Sequence, residues 1–451
     1  MELLITIGQL VLSLSILIVL HEFGHFLPAR AFGTRVEKFY LFFDPYFSLV
    51  KKKIGETEWG IGWLPLGGYV KISGMIDESF DKEQLAKPPE PWEFRSKPAW
   101  QRLIIMLGGV TVNFFLGFLI FSMVLWVYGE EYLPTENATN GIYVDSLGQD
   151  LGLQDGDLVL RADTTQLDRF GARYVLQAIA IDGARQLTVR RNGTEVDLPV
   201  ANEWSDILTR RENKYNPLFS LPLPFFVGEI IEDSPAEESD LREGDRILAV
   251  DGNPVTYFQD ALKLLRQRKS QSVTITARGE DDATERNVTL TTREDGTIGV
   301  RPRAADQFYQ MERIDYDFGE SFPAGWDKGV NFLGSQFKAF GKMFQGDIKV
   351  TESLGGFISI GSMFGDTWIW ERFWLMTASL SLILAFMNLL PIPALDGGHV
   401  VFLLYEVISG RKPSDRFMEI AQVIGFIIVL GLVLLANGLD IWNLIKGWFG
   451  G

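Results

Sequence analysis

An apolar run from Leu3 to Leu20 ends in the sequence His21-Glu22-Phe23-Gly24-His25. The run can cross a bilayer as a helix if it includes this motif, because a helix rises about 1.5 Å per residue and the hydrocarbon core is about 30 Å thick. Two histidines four residues apart lie on one helical face, where they can hold Zn²⁺ while the intervening Glu22 acts on a water at the metal. Ionisable side chains inside a membrane are costly, so their presence here indicates a functional site.

The first apolar run also resembles a secretory signal peptide, but it lacks a basic segment before it and a small-residue cleavage site after it. We therefore predict a retained transmembrane helix over residues 1–30. The chain has three histidines and no cysteine, which leaves histidine and carboxylate side chains as metal ligands. The net charge of −16 argues against nucleic acid as a partner, because phosphates require a basic surface.

Three more apolar segments predict a multi-span α-helical membrane protein with four transmembrane helices, in contact with the lipid bilayer. The added spans are predicted at 103–128, 373–400 and 417–436, the third being interrupted by Pro391-Ile392-Pro393. Basic residues follow the first span and none precedes it, so the positive-inside rule places that loop in the cytoplasm and both termini outside. Aromatic residues at helical spacing predict an amphipathic helix over 322–346, either on the membrane surface or against the spans.

Residues 31–102 are predicted to lie on the cytoplasmic side and to contain a membrane-associated β-hairpin over 56–73. In residues 58–63, large apolar side chains alternate with glutamate or glycine, as in a strand with one buried face. Pro65 to Gly68 supply turn residues, and Tyr69-Val70-Lys71-Ile72 can return as a second strand. An ordinary surface hairpin is one interpretation. The other is a strand edge, in a cavity lined by protein or water, that binds an extended substrate as an additional strand.

The polar middle of the chain contains an internal repeat. Residues 153–163 match residues 241–251 at an offset of 88 residues, in the pattern L-x-x-G-D-x-I/V-L. The pattern resembles PDZ domains, and predicts two extracytoplasmic PDZ-like α+β domains over 130–218 and 219–305. Such domains bind extended peptides or chain termini in a groove, but they could also act only as spacers or size filters.

A zinc ion bound by His21 and His25 needs a third protein ligand and an open position. Asp396 and His399 are both candidates, and Asp396 is favoured. His21 lies 18 residues beyond Leu3, about 27 Å of helix, and the proline-interrupted third span brings Asp396 to a comparable depth. Asn113 in the second span is either an interhelical packing residue or a site residue.

The His21–His25 motif, the segment from Asn388 to Gly398 and the Gly109-x-x-x-Asn113 element resemble the site-2 protease family of intramembrane zinc metalloproteases. The resemblance extends to bacterial inner-membrane members with two PDZ domains that act in the sigma-E envelope stress response. It implies the cleavage of single-span proteins within the bilayer, the substrates being anti-sigma factors already cut outside and remnant signal peptides.

Carried onto this chain, the resemblance assigns zinc ligation to His21, His25 and Asp396, and acid/base catalysis to Glu22. It assigns substrate contact to Asn388, support of the site to Asn113, and pairing with the substrate to the strand of Tyr69, Val70 and Lys71. It also implies that the PDZ pair excludes substrates with large external parts.

Two other functions explain the sequence less well. A membrane-anchored PDZ adaptor with an inactive metal site needs neither Glu22 nor Asp396 at a matching depth. A transporter fits poorly, because four spans around one large external region provide no repeated half.

Overall fold

The computed structural model describes residues 2–65, 67–75, 88–213, 216–280, 284–349, 351 and 355–449. These form two compact units. The membrane unit comprises Met1–Gly129, Asp315–Phe340 and Ser353–Gly451, and the polar unit comprises Glu130–Ile314 and Gly341–Glu352. Residues 76–87, in the polar stretch that follows the predicted hairpin, lie outside the described residues.

The α-helices are numbered here in chain order: α1 (Glu2–Ala31), α2 (Ala99–Tyr128), α3 (Ser146–Asp150), α4 (Ala172–Leu176), α5 (Trp204–Thr209), α6 (Phe258–Arg266), α7 (Phe318–Gln345), α8 (Phe357–Ser362), α9 (Trp370–Leu389), α10 (Asp396–Ser409) and α11 (Asp415–Phe449). A π-helical segment, Gln177–Asp182, continues α4. Short 3-10 helices cover Phe94–Ser96, Thr135–Asn137, Arg211–Asn213 and Ala305–Gln307.

The β-strands are β1 (Val36–Leu41), β2 (Phe43–Ile54), β3 (Thr57–Leu64), β4 (Tyr69–Ile72), β5 (Glu130–Tyr132), β6 (Tyr143–Val144), β7 (Leu158–Ala162), β8 (Thr165–Gln166), β9 (Gln186–Arg191), β10 (Thr194–Pro199), β11 (Phe219–Ser220), β12 (Val227–Ile230), β13 (Arg246–Val250), β14 (Asn253–Pro254), β15 (Ser272–Arg278), β16 (Glu285–Thr291), β17 (Val300–Pro302) and β18 (Glu312–Ile314).

Within the described residues, four helices are long and apolar enough to cross a membrane: α1 (over Leu3–Ala31), α2, α9 and α11 (over Arg416–Lys446). This agrees with the predicted class of membrane protein. The predicted third segment, 373–400, forms two helices, because α9 ends at Leu389 and α10 begins at Asp396. Pro391 and Pro393 have no N–H to continue the helix, and they enforce the break.

The predicted hairpin of residues 56–73 is wrong, because β3 and β4 do not pair with each other. The sheet of the membrane unit has the order β2-β3-β1-β4, so β1 lies between them, parallel to β3 and antiparallel to β4. The actual hairpin joins β2 to β3 through Gly55, whose φ of +62° suits a tight turn. Among the described residues β4 has one strand partner, so it is an edge strand.

Helix α7, which begins at Phe318, lies against the spans. The Trp326 ring stacks on Phe118 of α2 with a centroid distance of 4.3 Å, and Phe337 packs on Phe386 of α9 at 4.7 Å. Of the two predicted locations for the amphipathic helix, these contacts support the one against the transmembrane helices.

The polar unit contains the internal repeat as two sheets of equal strand order, β10-β9-β7-β8 and β14-β13-β15-β16. The aspartates at the end of the repeated pattern, Asp163 and Asp251, both have a left-handed backbone, and both accept a hydrogen bond from equivalent amides, those of Gln186 and Thr274. Each sheet covers its own apolar core. The predicted boundary after residue 218 is too early, because Phe219 belongs to the first core and β11 pairs with β6.

Candidate metal centre

Three side chains from two distant parts of the chain meet in the membrane unit. The Nε2 atoms of His21 and His25 lie 3.3 Å apart, and Asp396 Oδ2 lies 3.2 Å from the first and 3.4 Å from the second. The histidines come from adjacent turns of α1, and Asp396 is the first residue of α10. Within the described residues these are the only three His, Cys, Asp or Glu side chains that form a group able to hold a metal ion.

The second ring nitrogen of each histidine contacts α2. His25 Nδ1 lies 2.8 Å from the Ile105 carbonyl oxygen, so the Nδ1 proton is donated there and the Nε2 lone pair faces the cluster. His21 Nδ1 lies 3.2 Å from the side-chain amide nitrogen of Asn113, which is 1 % exposed. These contacts orient both rings, in the way that outer hydrogen bonds orient metal-binding histidines.

Asn113 leaves one polar atom without a partner. Its Oδ1 is buried and makes no hydrogen bond with a described residue. If the Asn113 amide is flipped, so that its oxygen and nitrogen exchange places, it occupies the same space and presents Oδ1 to His21 Nδ1. His21 Nδ1 can then donate its proton to Oδ1, which leaves the lone pair of Nε2 free to bind a metal. Asn113 therefore fits a role in holding His21 in the tautomer that binds a metal.

The cluster fits a divalent cation. Asp396 Oδ2 is buried and has no hydrogen-bond partner in the described part of the chain, yet it lies next to two imidazole nitrogens. A carboxylate oxygen and two nitrogen lone pairs repel each other unless a positive charge lies between them. Two imidazoles and a carboxylate are a donor set that suits zinc with one open coordination position.

Two glycines allow the α1–α2 contact that brings the histidines to Asn113 and Ile105. A Cβ atom at Gly24 would overlap the Gly108 carbonyl oxygen, and a Cβ atom at Gly108 would overlap that of Gly24. The two helices therefore touch backbone to backbone at this crossing.

We expect the substitution Gly109→Ala to reduce the metal affinity of the protein by about tenfold or more, since changes around the ligands alone cost about 10–100-fold in metal affinity. A Cβ atom at Gly109 would lie 2.8 Å from His21 Nε2 and closer still to His25 Nε2. Elemental analysis after dialysis against chelators of graded strength measures the effect.

Gly431→Ala is the matched control, because it adds the same methyl group to a transmembrane helix where nothing lies within 4 Å. Wild-type metal affinity in Gly109→Ala would show that the close contact between α1 and α2 does not hold the histidine pair.

The cluster opens into a cavity of about 660 Å³. Glu22, 9 % exposed, faces this cavity from α1, and the edge strand β4 forms part of the wall. The turn before β4 touches α1, because a Cβ atom at Gly68 would lie 2.5 Å from Ile18 Cγ2 and 3.6 Å from Glu22 Cγ. A segment bound along β4 would therefore lie beside Glu22.

Most of the predicted site residues line this cavity, whereas Asn113 and Asn388 do not line it and instead contact His21. Tyr69, Val70 and Lys71 line it. Asn388, near the end of α9, has its amide nitrogen 3.5 Å from His21 Nε2. His399, the alternative ligand, lines the cavity but does not belong to the group of ligand atoms that lie within 4.8 Å of one another.

Two polar residues that line the cavity were not predicted as site residues. Asp44 in β2 accepts a hydrogen bond from the Tyr69 hydroxyl at 2.8 Å, and no local pattern distinguishes it from other acidic residues. Gln422 of α11 also lines the cavity. Its sequence signal is an uncharged polar residue near the start of the last apolar run, which indicates a buried partner but not its identity.

Comparison with known proteins identifies relatives over nearly the whole chain. The model of peptidase family M50 matches residues 9–432. The regulator of sigma-E protease RseP of Escherichia coli K12 is 29 % identical over 463 residues, which cover 97 % of each chain. The regulator of sigma E protease of Haemophilus influenzae is 27 % identical over 456 residues, covering 97 % of this chain and 98 % of the relative. A relative from Neisseria meningitidis, 26 % identical over 98 % of this chain and 99 % of its own length, bears a name that refers to a zinc metalloprotease.

Proposed function

Because the chain belongs to peptidase family M50, the site-2 protease family, and is a metalloendopeptidase with several candidate membrane spans, we propose that it hydrolyses peptide bonds within the transmembrane segments of single-span proteins. The observation that carries the proposal is the meeting of His21, His25 and Asp396 beside Glu22, on the wall of a cavity in the membrane unit. Ligands, acid/base group and a space for the substrate are then in one place.

His21, His25 and Asp396 hold the metal in this proposal, and the metal is zinc. When bound, zinc supplies Lewis-acid polarisation of a carbonyl group and makes a water molecule more acidic. Asp396 balances part of the ion's charge, while Ile105 and Asn113 keep the two imidazoles oriented through their Nδ1 atoms.

Glu22 is the proton carrier. Its carboxylate accepts the proton of the attacking water and delivers it to the leaving amide nitrogen, so that one group acts first as base and then as acid. Glu22 is positioned for this role because it lies between the two histidines in sequence and lines the same cavity. Burial in the site excludes bulk water, which would otherwise weaken its interactions with the reacting atoms.

Edge strand β4 binds the substrate. A peptide bond in a transmembrane helix is protected by the helix's own hydrogen bonds, so the segment must unwind before it is cleaved. The open edge of β4, at Tyr69, Val70 and Lys71, replaces part of those bonds by adding the segment as a further strand. Asn388, close to His21, contacts the substrate near the bond to be cleaved.

The two repeats of the polar unit are PDZ domains that filter substrates by the size of their external part. The substrates are single-span proteins: an anti-sigma factor after a first cut outside the membrane, and remnant signal peptides. We place the enzyme in the bacterial inner membrane, with the PDZ domains and both termini on the periplasmic side. This assignment follows the sigma-E regulators among the relatives and the distribution of basic residues in the loops.

Metal removal tests the function directly. In proteoliposomes containing a single-span reporter, we expect cleavage within the reporter's transmembrane segment, its loss on treatment with a zinc chelator, and its recovery when Zn²⁺ is returned. Mass spectrometry of the products locates the cut. Cleavage that continues at full rate in metal-free protein would contradict the proposal.

A further inference from the structure

Gln422 in the last transmembrane helix is a mostly buried residue whose side-chain amide has no partner among the described residues. It is 4 % exposed, and its side chain makes no hydrogen bond with any residue that the structure describes. It lines the metal-site cavity and also a smaller adjoining cavity of about 50 Å³. Neither amide atom is among the fully buried atoms that lack a partner, so the amide opens to the cavity and can bind a polar group that enters it.

The packing of α11 fixes where Gln422 lies. Gly425, three residues later on the same helical face, contacts the loop that leads to Asp396, since a Cβ atom at Gly425 would lie 2.8 Å from the Ala394 nitrogen. This contact holds the face of α11 that carries Gln422 against the segment supplying the third metal-binding side chain. Gln422 is thereby positioned beside the reacting centre.

An unwound substrate has hydrogen-bonding groups that β4 cannot satisfy. In an extended strand, the peptide groups point alternately to its two sides, so pairing with one edge strand leaves the groups of the other side unpaired. An unpaired N–H or C=O group in a low-dielectric cavity is costly. A partner on the second side has to offer both a donor and an acceptor. An uncharged group is favoured, because an unpaired charge is costly to bury in such a cavity.

We propose that Gln422 binds the main chain of the substrate and is a positioning residue for the bond to be cleaved. Its Nε2 donates to a substrate carbonyl oxygen and its Oε1 accepts from a substrate N–H, which matches the polarity of a peptide group. The substrate is then held by β4 and by α11 beside the metal site. This assignment rests on the proposed function.

The substitution Gln422→Met tests the amide, because methionine has nearly the same length and lacks its hydrogen-bonding groups. We expect KM for a single-span reporter in detergent micelles to rise roughly tenfold, with kcat little changed, since uniform substrate binding is lost. The melting temperature and metal content are expected to equal those of the wild type. Val423→Ala, which alters a 40 % exposed neighbour on the same helix, should leave KM unchanged.

A series of synthetic reporters identifies the substrate group that Gln422 binds. In each reporter one peptide N–H is replaced by an ester oxygen. At one position near the cleaved bond, we expect the ester to raise KM of the wild type but not of Gln422→Met, because the partner has already been removed.

A role of Gln422 in packing alone would give wild-type KM in Gln422→Met, or ester effects that are equal in both enzymes, and either result overturns the proposal. Failure of the proposed function is a different outcome, because the wild type itself would then leave the reporter intact.

Discussion

The substitution Glu22→Gln is expected to reduce cleavage of a single-span reporter by at least about 10²–10⁴-fold, the range that general acid–base groups contribute. Glutamine has the shape of glutamate but cannot take up the proton of the attacking water. The metal content should equal that of the wild type, because Glu22 does not belong to the His21, His25 and Asp396 group. Cleavage rate and elemental analysis on the same preparation measure both effects.

Glu56→Gln is the matched control. It makes the same chemical change in the membrane unit, at an exposed carboxylate that pairs with Arg30 at 3.1 Å, and should leave the rate unchanged. Wild-type cleavage by Glu22→Gln would show that another group carries the proton. Loss of metal together with activity would show that Glu22 helps to hold the ion.

The substitution Asp396→Asn is expected to remove both metal and activity. Loss of a ligand should weaken metal binding by more than about a hundredfold, since changes around the ligands alone cost about 10–100-fold. The reason is electrostatic as well as geometric, because the carboxylate is the one anionic donor in the group. Metal content after dialysis against weak chelators, compared with the cleavage rate, measures the effect.

Asp366→Asn, at an exposed position before α9, controls for the change of charge and should behave as the wild type. Retention of metal by Asp396→Asn would indicate that a different side chain completes the site, and His399, which lines the same cavity, is the candidate. The double variant Asp396→Asn with His399→Ala would then identify it.

Together the two variants distinguish the loss of proton transfer from the loss of metal binding. Glu22→Gln should give a protein that holds metal and does not cleave, whereas Asp396→Asn should give one that does neither. A membrane-anchored adaptor with an inactive metal site would bind its partners equally well in both variants and would show no cleavage in the wild type. The pair of experiments therefore also distinguishes the enzyme from the adaptor.

Several features of this protein are determined by the sequence itself. The spacing of His21 and His25 places both on one face of a helix, because a helix has about 3.6 residues per turn. The lengths of the apolar runs predict spans, and the pair Pro391 and Pro393 predicts a break in the third one, because neither residue has an N–H to donate. The repeat at an offset of 88 residues predicts two like domains, and the two sheets have the same strand order.

The tertiary structure decided how these pieces meet. Strand β1 separates β3 from β4, which no pattern within residues 56–73 could reveal, because the pairing of strands depends on packing between distant segments. The contact of Gly24 with Gly108 places Asn113 against His21, and Gly425 packs α11 on the loop before Asp396, with Gln422 on the cavity wall. Periodicity, apolar length and backbone breaks are local properties that a sequence contains, whereas the orientation of a side chain toward a distant partner arises only when the helices pack.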